Sequence, residues 1–479
     1  MNSDHKELLK HSSNYLLAVI ANKALSFISI PVLTYLLSVE DYGVVNVFSS
    51  TAAIFAVLLT LNTEVAISRY FYDAKDEEDF KRFVGTSIRF SFAIFVLLSV
   101  LLVLFSEPLS EYLGFERLLT ICLIPYALYT IVNGVFQQIY QPMLKSKKIA
   151  TVSSLTVYFG FAMSVVCILL LSEKKYYGMV FGAIIIYIVA SIYLITQILK
   201  YSSNCFDTKF LKYILSFTLP YLPYSLSSII VAQFGKMILG QQESFNSAGL
   251  YSFAQNLSGL MLIVIVVTHS AWNPYHMRYM NEKNYKKLNC DYDIIWRATL
   301  ICGAFLSLFC YEIGIVIARP QYLSALFLIP IIVLGYLFYQ WSYVYLRNTA
   351  YVKKTIWNAV VVVASGVLNV ALNSLLIKDL KILGIAISFA ISYGFMLLFS
   401  CLINKYILKA YVPPFMMFAK PLLLFVPLFF LSYFFKNYSG LSIEIILYKL
   451  FIFSVFTLTI SYNYYKKWLN PYLRKLGRL

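Results

Sequence analysis

Charged side chains stand where apolar residues surround them on both sides. Lys23 lies near the middle of the first apolar stretch, and Arg89 ("SIRFSFAIF") and Arg297 ("IIWRATLIC") hold matching places in two later ones. A charge at mid-bilayer costs about 2.5–3.5 kcal/mol on insertion scales, so it normally has a partner or a task. The chemistry open to Lys23, Arg89 and Arg297 is recognition of an anion such as a phosphate. The two arginines can equally reach back to phosphates at the membrane surface. Glu64 and His269 hold matching places at the ends of two other stretches and are candidates for carrying a proton; for Glu64 the competing reading is an ion pair with Arg69. Glu312 is a weaker proton candidate. Lys236 is expected to snorkel, and Lys420 and Lys449 to be interfacial.

Neutral polar residues form a second set. Asn46, Ser49 and Ser50 recur as Ser252, Gln255 and Asn256. Spacings of i, i+3 and i+4 put each trio on one helix face. Asn22, beside Lys23, belongs to a similar polar side of the first stretch, and Ser225, Ser227, Ser228 and Gln233 to the seventh. Such faces hydrogen-bond a polar ligand. They also hold helices together, and the recurrence in two places favours the ligand.

The elements that carry these residues follow from composition. The chain has 479 residues, 60% hydrophobic and 13% charged, with mean hydropathy +0.74. A soluble fold of this size needs more charge on its surface. The apolar runs predict an all-α polytopic membrane protein with about fourteen transmembrane helices. They fall near 12–38, 43–67, 84–105, 118–139, 149–171, 177–199, 213–238, 248–272, 294–317, 323–346, 355–377, 382–404, 416–435 and 442–464. Arg117, Lys174, Lys175, Arg319, Lys378, Lys381 and Lys436 fall in one set of loops, and nearly all other loop lysines and arginines in the opposite set. That asymmetry predicts cytoplasmic termini. The polar start followed by a full-length span reads as a retained first helix.

A repeat organises the spans. Gly43 matches Gly249, "LIP" at 123–125 matches "LIP" at 328–330, Lys147-Lys148 matches Lys353-Lys354, and Gly178 matches Gly384, all at offsets of 205 or 206. Six spans per copy is an even number, so both copies enter the membrane the same way. The expectation is two parallel six-helix lobes, 1–200 and 201–410, then two C-terminal helices and a basic cytoplasmic tail in 411–479. Two such lobes enclose a substrate site and work by alternating access. Prolines at Pro31, Pro125, Pro220, Pro223 and Pro330 are expected to kink spans. "GMVFG", 178–182, reads as close helix packing, and 201–213 as a surface linker between the lobes.

Other classes are disfavoured. The net charge of +17 is spread over short loops, not gathered on one soluble face, which argues against nucleic acid. Seven scattered cysteines form no disulfide framework or metal site. Nucleotide-binding, metalloprotease and hydrolase motifs are absent from the sequence, so neither a cofactor nor an enzyme is expected.

"IPVLTYLLSVEDYGVVNVF", "EVAISRYFYD" and "LKYILSFTLPYLPYSLSSII" resemble the polysaccharide-biosynthesis and O-antigen flippases of the multidrug/oligosaccharidyl-lipid/polysaccharide exporter superfamily. The resemblance covers nearly the whole chain. It implies a bacterial inner-membrane flippase for undecaprenyl-pyrophosphate-linked oligosaccharide, working alongside a polymerase and chain-length machinery. Lys23, Arg89 and Arg297 would then meet the diphosphate, and Asn22, Asn46, Ser49, Ser50, Gln255 and Asn256 the sugar. Glu64 and His269 would couple an ion. Many members of the family carry an acidic-basic pair near the outer end of span seven; this chain has only Lys236 there, in "QFGKMILG". A cation-coupled multidrug antiporter of the superfamily is the first competing reading, and would favour carboxylates in the cavity and twelve spans. A membrane polymerase or glycosyltransferase is the second, and would need a large outer loop.

Overall fold

The computed structural model describes Leu25, residues 27–435 and residues 442–476. Among them there is no strand. The helices are α1 (Phe27–Leu36), α2 (Val39–Thr60), α3 (Val65–Tyr70), α4 (Glu77–Leu104), α5 (Ser106–Leu113), α6 (Arg117–Tyr140), α7 (Ser146–Leu170), α8 (Tyr176–Leu199) and α9 (Thr208–Gln242). They continue with α10 (Phe245–Ser258), α11 (Leu260–Asn281), α12 (Tyr285–Leu308), α13 (Cys310–Ile317), α14 (Ile329–Tyr351), α15 (Ile356–Leu402), α16 (Met416–Phe434) and α17 (Ile443–Leu476). Eleven helices among the described residues are long and apolar enough to cross a membrane, or twelve with α12–α13, bent by 62°, taken as one span. The all-α, multi-pass architecture expected from the sequence is therefore present. α15 is two helices run together, because Lys381 breaks it at φ 48°, ψ −127°. That break falls where spans eleven and twelve were expected to part.

Local chemistry sets the helix starts. Ser38 Oγ accepts from Asp41 N at 3.0 Å at the head of α2, and Glu40 and Asp41 place negative charge in its first turn. Asp76 does the same for α4 and Asp207 for α9. Pro125, Pro220 and Pro223 lie inside helices as expected. Pro330 does not: it sits in the first turn of α14, after a 3-10 segment, where a missing N–H leaves no bond unmade.

The repeated corner has a direct structural reason. Gly43 of α2 and Gly249 of α10 face each other. A Cβ on Gly43 would lie 1.8 Å from Phe245 O, and one on Gly249 2.1 Å from Val39 O. Val39 and Phe245 are themselves one repeat apart, so the contact is reciprocal. Each helix lays its glycine on the other's first-turn carbonyl, an approach that only a residue without a side chain permits. Gly178 and Gly384 also match: a Cβ on the first would meet Ile168 N at 2.6 Å, and on the second Leu376 O at 2.5 Å. Gly182 lies as tightly on Ser164, so "GMVFG" is a packing motif.

The chain forms two compact units. The first is Met1–Ser252 with Asn358–Ser392, and the second is Phe253–Trp357 with Tyr393–Leu479. The second sequence copy is thus divided between them. The reason lies in α9, which packs along α2 through Gly240 against Val47 and receives the middle of α15 through Gly366 on Ser227 and Gly235 on Ile385. Within the first unit α2 is an inner helix, its apolar window 67% buried, whereas α4 is 22% buried and turns Phe92, Leu97 and Leu104 outward. The second unit is centred on aromatic packing: Trp296 meets Phe418 edge-on at 5.4 Å and Trp341 at 6.2 Å.

Candidate substrate-binding site

A polar seam runs along α2 in the first unit. Asn46 Nδ2 donates to Tyr42 O at 2.9 Å. The Ser50 hydroxyl, 1% exposed, lies 2.8 Å from Asn46 O and 3.0 Å from Gln233 Oε1 of α9. Beyond the end of α2, Asn62 Nδ2 donates to Ser225 Oγ of α9, and Thr63 Oγ1 meets Ser91 Oγ of α4 at 2.5 Å. Ser49 is exposed, so the expected trio splits between a buried and an open side.

Lys236 lies on the same α9 face as Gln233 and Gly240, the face turned to α2. It is 6% exposed and has no hydrogen bond or ion pair among the described residues. Its side chain is buried on the α2-facing side of α9 and not at the exposed surface where snorkelling was expected to carry it. Glu64, next along the seam, is half-buried and rests its side chain over Gly134 of α6. Its Oε2 is shut off from solvent without a hydrogen-bond partner. Arg69 pairs with Asp73 at 3.6 Å instead of with Glu64.

The two arginines chosen from sequence are engaged within the protein. Arg89 Nη1 donates to Gly85 O at 3.1 Å, Ser203 O at 3.0 Å and Cys205 O at 2.8 Å, and Nη2 reaches Asn204 Oδ1. It thereby pins the 200–207 linker to α4. Arg297 Nε donates to Asp293 Oδ1 at 2.8 Å and Nη1 to Ile460 O of α17 at 2.5 Å. Lys23 and Asn22 lie outside the described residues. On α10, Ser252 and Gln255 are buried and Asn256 is half-buried; Ser252 Oγ has no hydrogen-bond partner among the described residues.

The second unit buries a cation that was not among the sequence candidates. Arg347 of α14 is 9% exposed. Its Nη2 donates to His269 O at 3.0 Å, its guanidinium lies 4.9 Å from the Tyr343 ring and 5.9 Å from Trp272, and Nη1 has no hydrogen-bond partner among the described residues. His269 lies against Tyr343 with ring centroids 3.9 Å apart and planes tilted by 40°, and its Nε2 has no hydrogen-bond partner among the described residues. Tyr292 OH lies 3.0 Å from His276 Nδ1, and Trp272 Nε1 donates to Asp291 Oδ2 at 3.1 Å. The signal for Arg347 was present: "YVYLRNTAY" places it four residues before the helix end, among aromatics that bury it.

Lys449 and Glu312 are also corrected. Lys449 Nζ pairs with Glu312 Oε1 at 2.7 Å, with Lys449 only 1% exposed. The lysine expected at the interface is the buried tie between α17 and α13. Lys420 is exposed.

Residues 8–280, more than half of the chain, match the sequence model of the family described as "Polysaccharide biosynthesis protein". The chain belongs to the polysaccharide biosynthesis protein family. Among curated proteins, this family member is 22% identical over 292 residues to a protein of the Lsg locus of Haemophilus influenzae, covering 58% of this chain and 68% of that one. A second Haemophilus influenzae membrane protein is 21% identical over 300 residues, covering 58% and 67%. Among solved structures, the family member is similar to the lipid II flippase MurJ in an inward closed conformation: TM-score 0.72, 17% identity, 95% of this chain and 99% of that one. It is also similar to a multidrug resistance MATE family transporter of the MOP superfamily in an inward-facing conformation, with TM-score 0.63, 14% identity and 81% and 96% coverage. At these identities the likeness is one of fold.

Proposed function

We propose that the protein is a flippase that carries an undecaprenyl-pyrophosphate-linked oligosaccharide, an O-antigen or similar surface-polysaccharide repeat unit, across the bacterial cytoplasmic membrane. Membership of the polysaccharide biosynthesis family and a fold like that of a lipid II flippase support this reading. The observation that carries it is Lys236, a buried ammonium with no counter-ion among the described residues, beside a seam of hydroxyl and amide groups. A cation in a low-dielectric site is stabilised by an arriving anion, and a diphosphate supplies one. Lys23 is its proposed companion on the first span. Asn46, Ser50 and Gln233 would exchange their internal hydrogen bonds for sugar hydroxyls. The two six-span copies, 1–200 and 201–410, would rock to expose the site to each side in turn, with both termini cytoplasmic. A polymerase and chain-length machinery would take the product.

The test is complementation of a strain lacking the gene. Lys23→Ala and Lys236→Ala are each expected to abolish surface polysaccharide at unchanged membrane level, and Lys→Arg at either position to retain part of it. Normal polysaccharide from both alanine variants would remove the diphosphate role. Glu64, a carboxylate without a bonded partner on Oε2, favours a second reading, the cation-coupled antiporter. Under that reading the deletion strain gains sensitivity to cationic drugs while its lipid-linked sugars stay unchanged.

A further inference from the structure

Three lysines meet at the start of α7. Lys145, Lys147 and Lys148 line a cavity of about 480 Å³ with Thr151, Val152 and Tyr193 of α8. Neutral groups hold two of the ammonium heads in place. Lys145 Nζ donates to Tyr201 OH at 2.8 Å and lies 5.5 Å from the Tyr140 ring. Lys148 Nζ donates to Gln197 Oε1 at 2.8 Å and lies 4.4 Å from the Tyr140 ring. None of the three forms an ion pair with a carboxylate among the described residues; the nearby Glu77 is taken by Lys81 at 2.9 Å. Glu77 also acts on Lys145 at longer range, so the three positive charges gather without a paired carboxylate of their own.

The cavity continues into an apolar lane. From Thr151 the next residues on the same row of α7 are Leu155 and Phe159, 50% and 59% exposed. From Tyr193 the row on α8 runs back through Val189 and Ile185, 60% and 43% exposed. Hydrocarbon is the medium that such a surface meets in a membrane. A ligand that suits both parts has an anionic head and acyl chains.

We propose that this cavity binds an anionic glycerophospholipid of the surrounding leaflet, its phosphate among Lys145, Lys147 and Lys148 and one acyl chain along Leu155 and Phe159. Basic pockets between helix ends are suited to such head groups, and each surface lysine contributes about 1 kcal/mol. The site is separate from the α2–α9 seam and does not depend on what the protein transports. A lipid held there braces α7 against α8.

The experiment is native mass spectrometry of the purified full-length protein titrated with phosphatidylglycerol, phosphatidylcholine or inorganic diphosphate. The wild type is expected to hold phosphatidylglycerol preferentially. Lys147→Gln, which removes a side chain with no internal partner, should weaken that binding about five-fold. Lys147→Arg should keep it. Lys145→Gln combined with Lys147→Gln should weaken it further and leave phosphatidylcholine binding unchanged. Equal retention of both lipids by the wild type would overturn the proposal, as would an unaltered phosphatidylglycerol affinity in the glutamine variants. Competition by inorganic diphosphate at the lipid's own affinity would reassign the cavity to a free anion.

Discussion

At the residue scale, the charges inside the membrane divide into those the fold consumes and those it leaves open. The Lys449–Glu312 pair is consumed. Removing one partner strands a buried charge, an effect of about 3–5 kcal/mol. Lys449→Ala and Glu312→Gln should each lower the melting temperature in detergent sharply, whereas the pair replaced together by Met and Leu should recover most of it. A double variant no better than the singles would show that the pair is not the tie. Outside the spans, Glu116 accepts from Lys174 at 2.5 Å, Tyr177 at 2.7 Å and Tyr176 at 3.0 Å. These donors hold its carboxyl at about 2, below the ordinary 4.5. A lowered folded-state value means the contribution is complete above pH about 4.5 and lost as pH falls toward 2. Melting followed from pH 7 to pH 2 should show that acid decline in the wild type and a smaller one in Glu116→Gln. Sequence identified which residues were charged but not which way they faced. Position along a span suggested snorkelling for Lys236 and an interfacial place for Lys449, and the faces they occupy on α9 and α17 bury them. Arg89, read as either an anion contact or a snorkelling residue, donates instead to linker carbonyls that sequence could not bring beside it.

At the element scale, the repeat was the most legible feature, because glycines that must touch backbone leave a trace at a fixed offset. Gly43 and Gly249 are required by a crossing that admits no Cβ. Gly43→Ala and Gly249→Ala should each destabilise by about 1–3 kcal/mol, as overpacking does, read as a lower melting temperature. Gly160 of α7 is a control: a Cβ there would meet nothing within 4 Å. Gly160→Ala should be neutral or stabilising by about 0.5–1 kcal/mol, through helix propensity alone. A loss at Gly160 equal to that at Gly43 would refute the crossing argument. Less legible were the helix breaks. Pro330 looked like a kink and is a helix start, because hydropathy does not register the 3-10 turn before it.

At the scale of the whole molecule, sequence periodicity gave the span order and structure gave the grouping. Copies 1–200 and 201–410 are a reading of sequence offsets, and the two compact units are units of packing. They differ because α9 packs along α2 and the middle of α15 packs on α9. Polysaccharide family membership and a fold like that of a lipid II flippase narrow the function, and in the proposed function the cation Lys236 meets an anionic cargo. The measurement that tests this most directly is the leaflet position of lipid-linked oligosaccharide in cells lacking the gene. The account predicts complete single units held on the cytoplasmic leaflet, released by the wild-type gene and not by Lys236→Ala. Unpolymerised units on the outer leaflet, or lipid-linked sugars unchanged by the deletion, would contradict it.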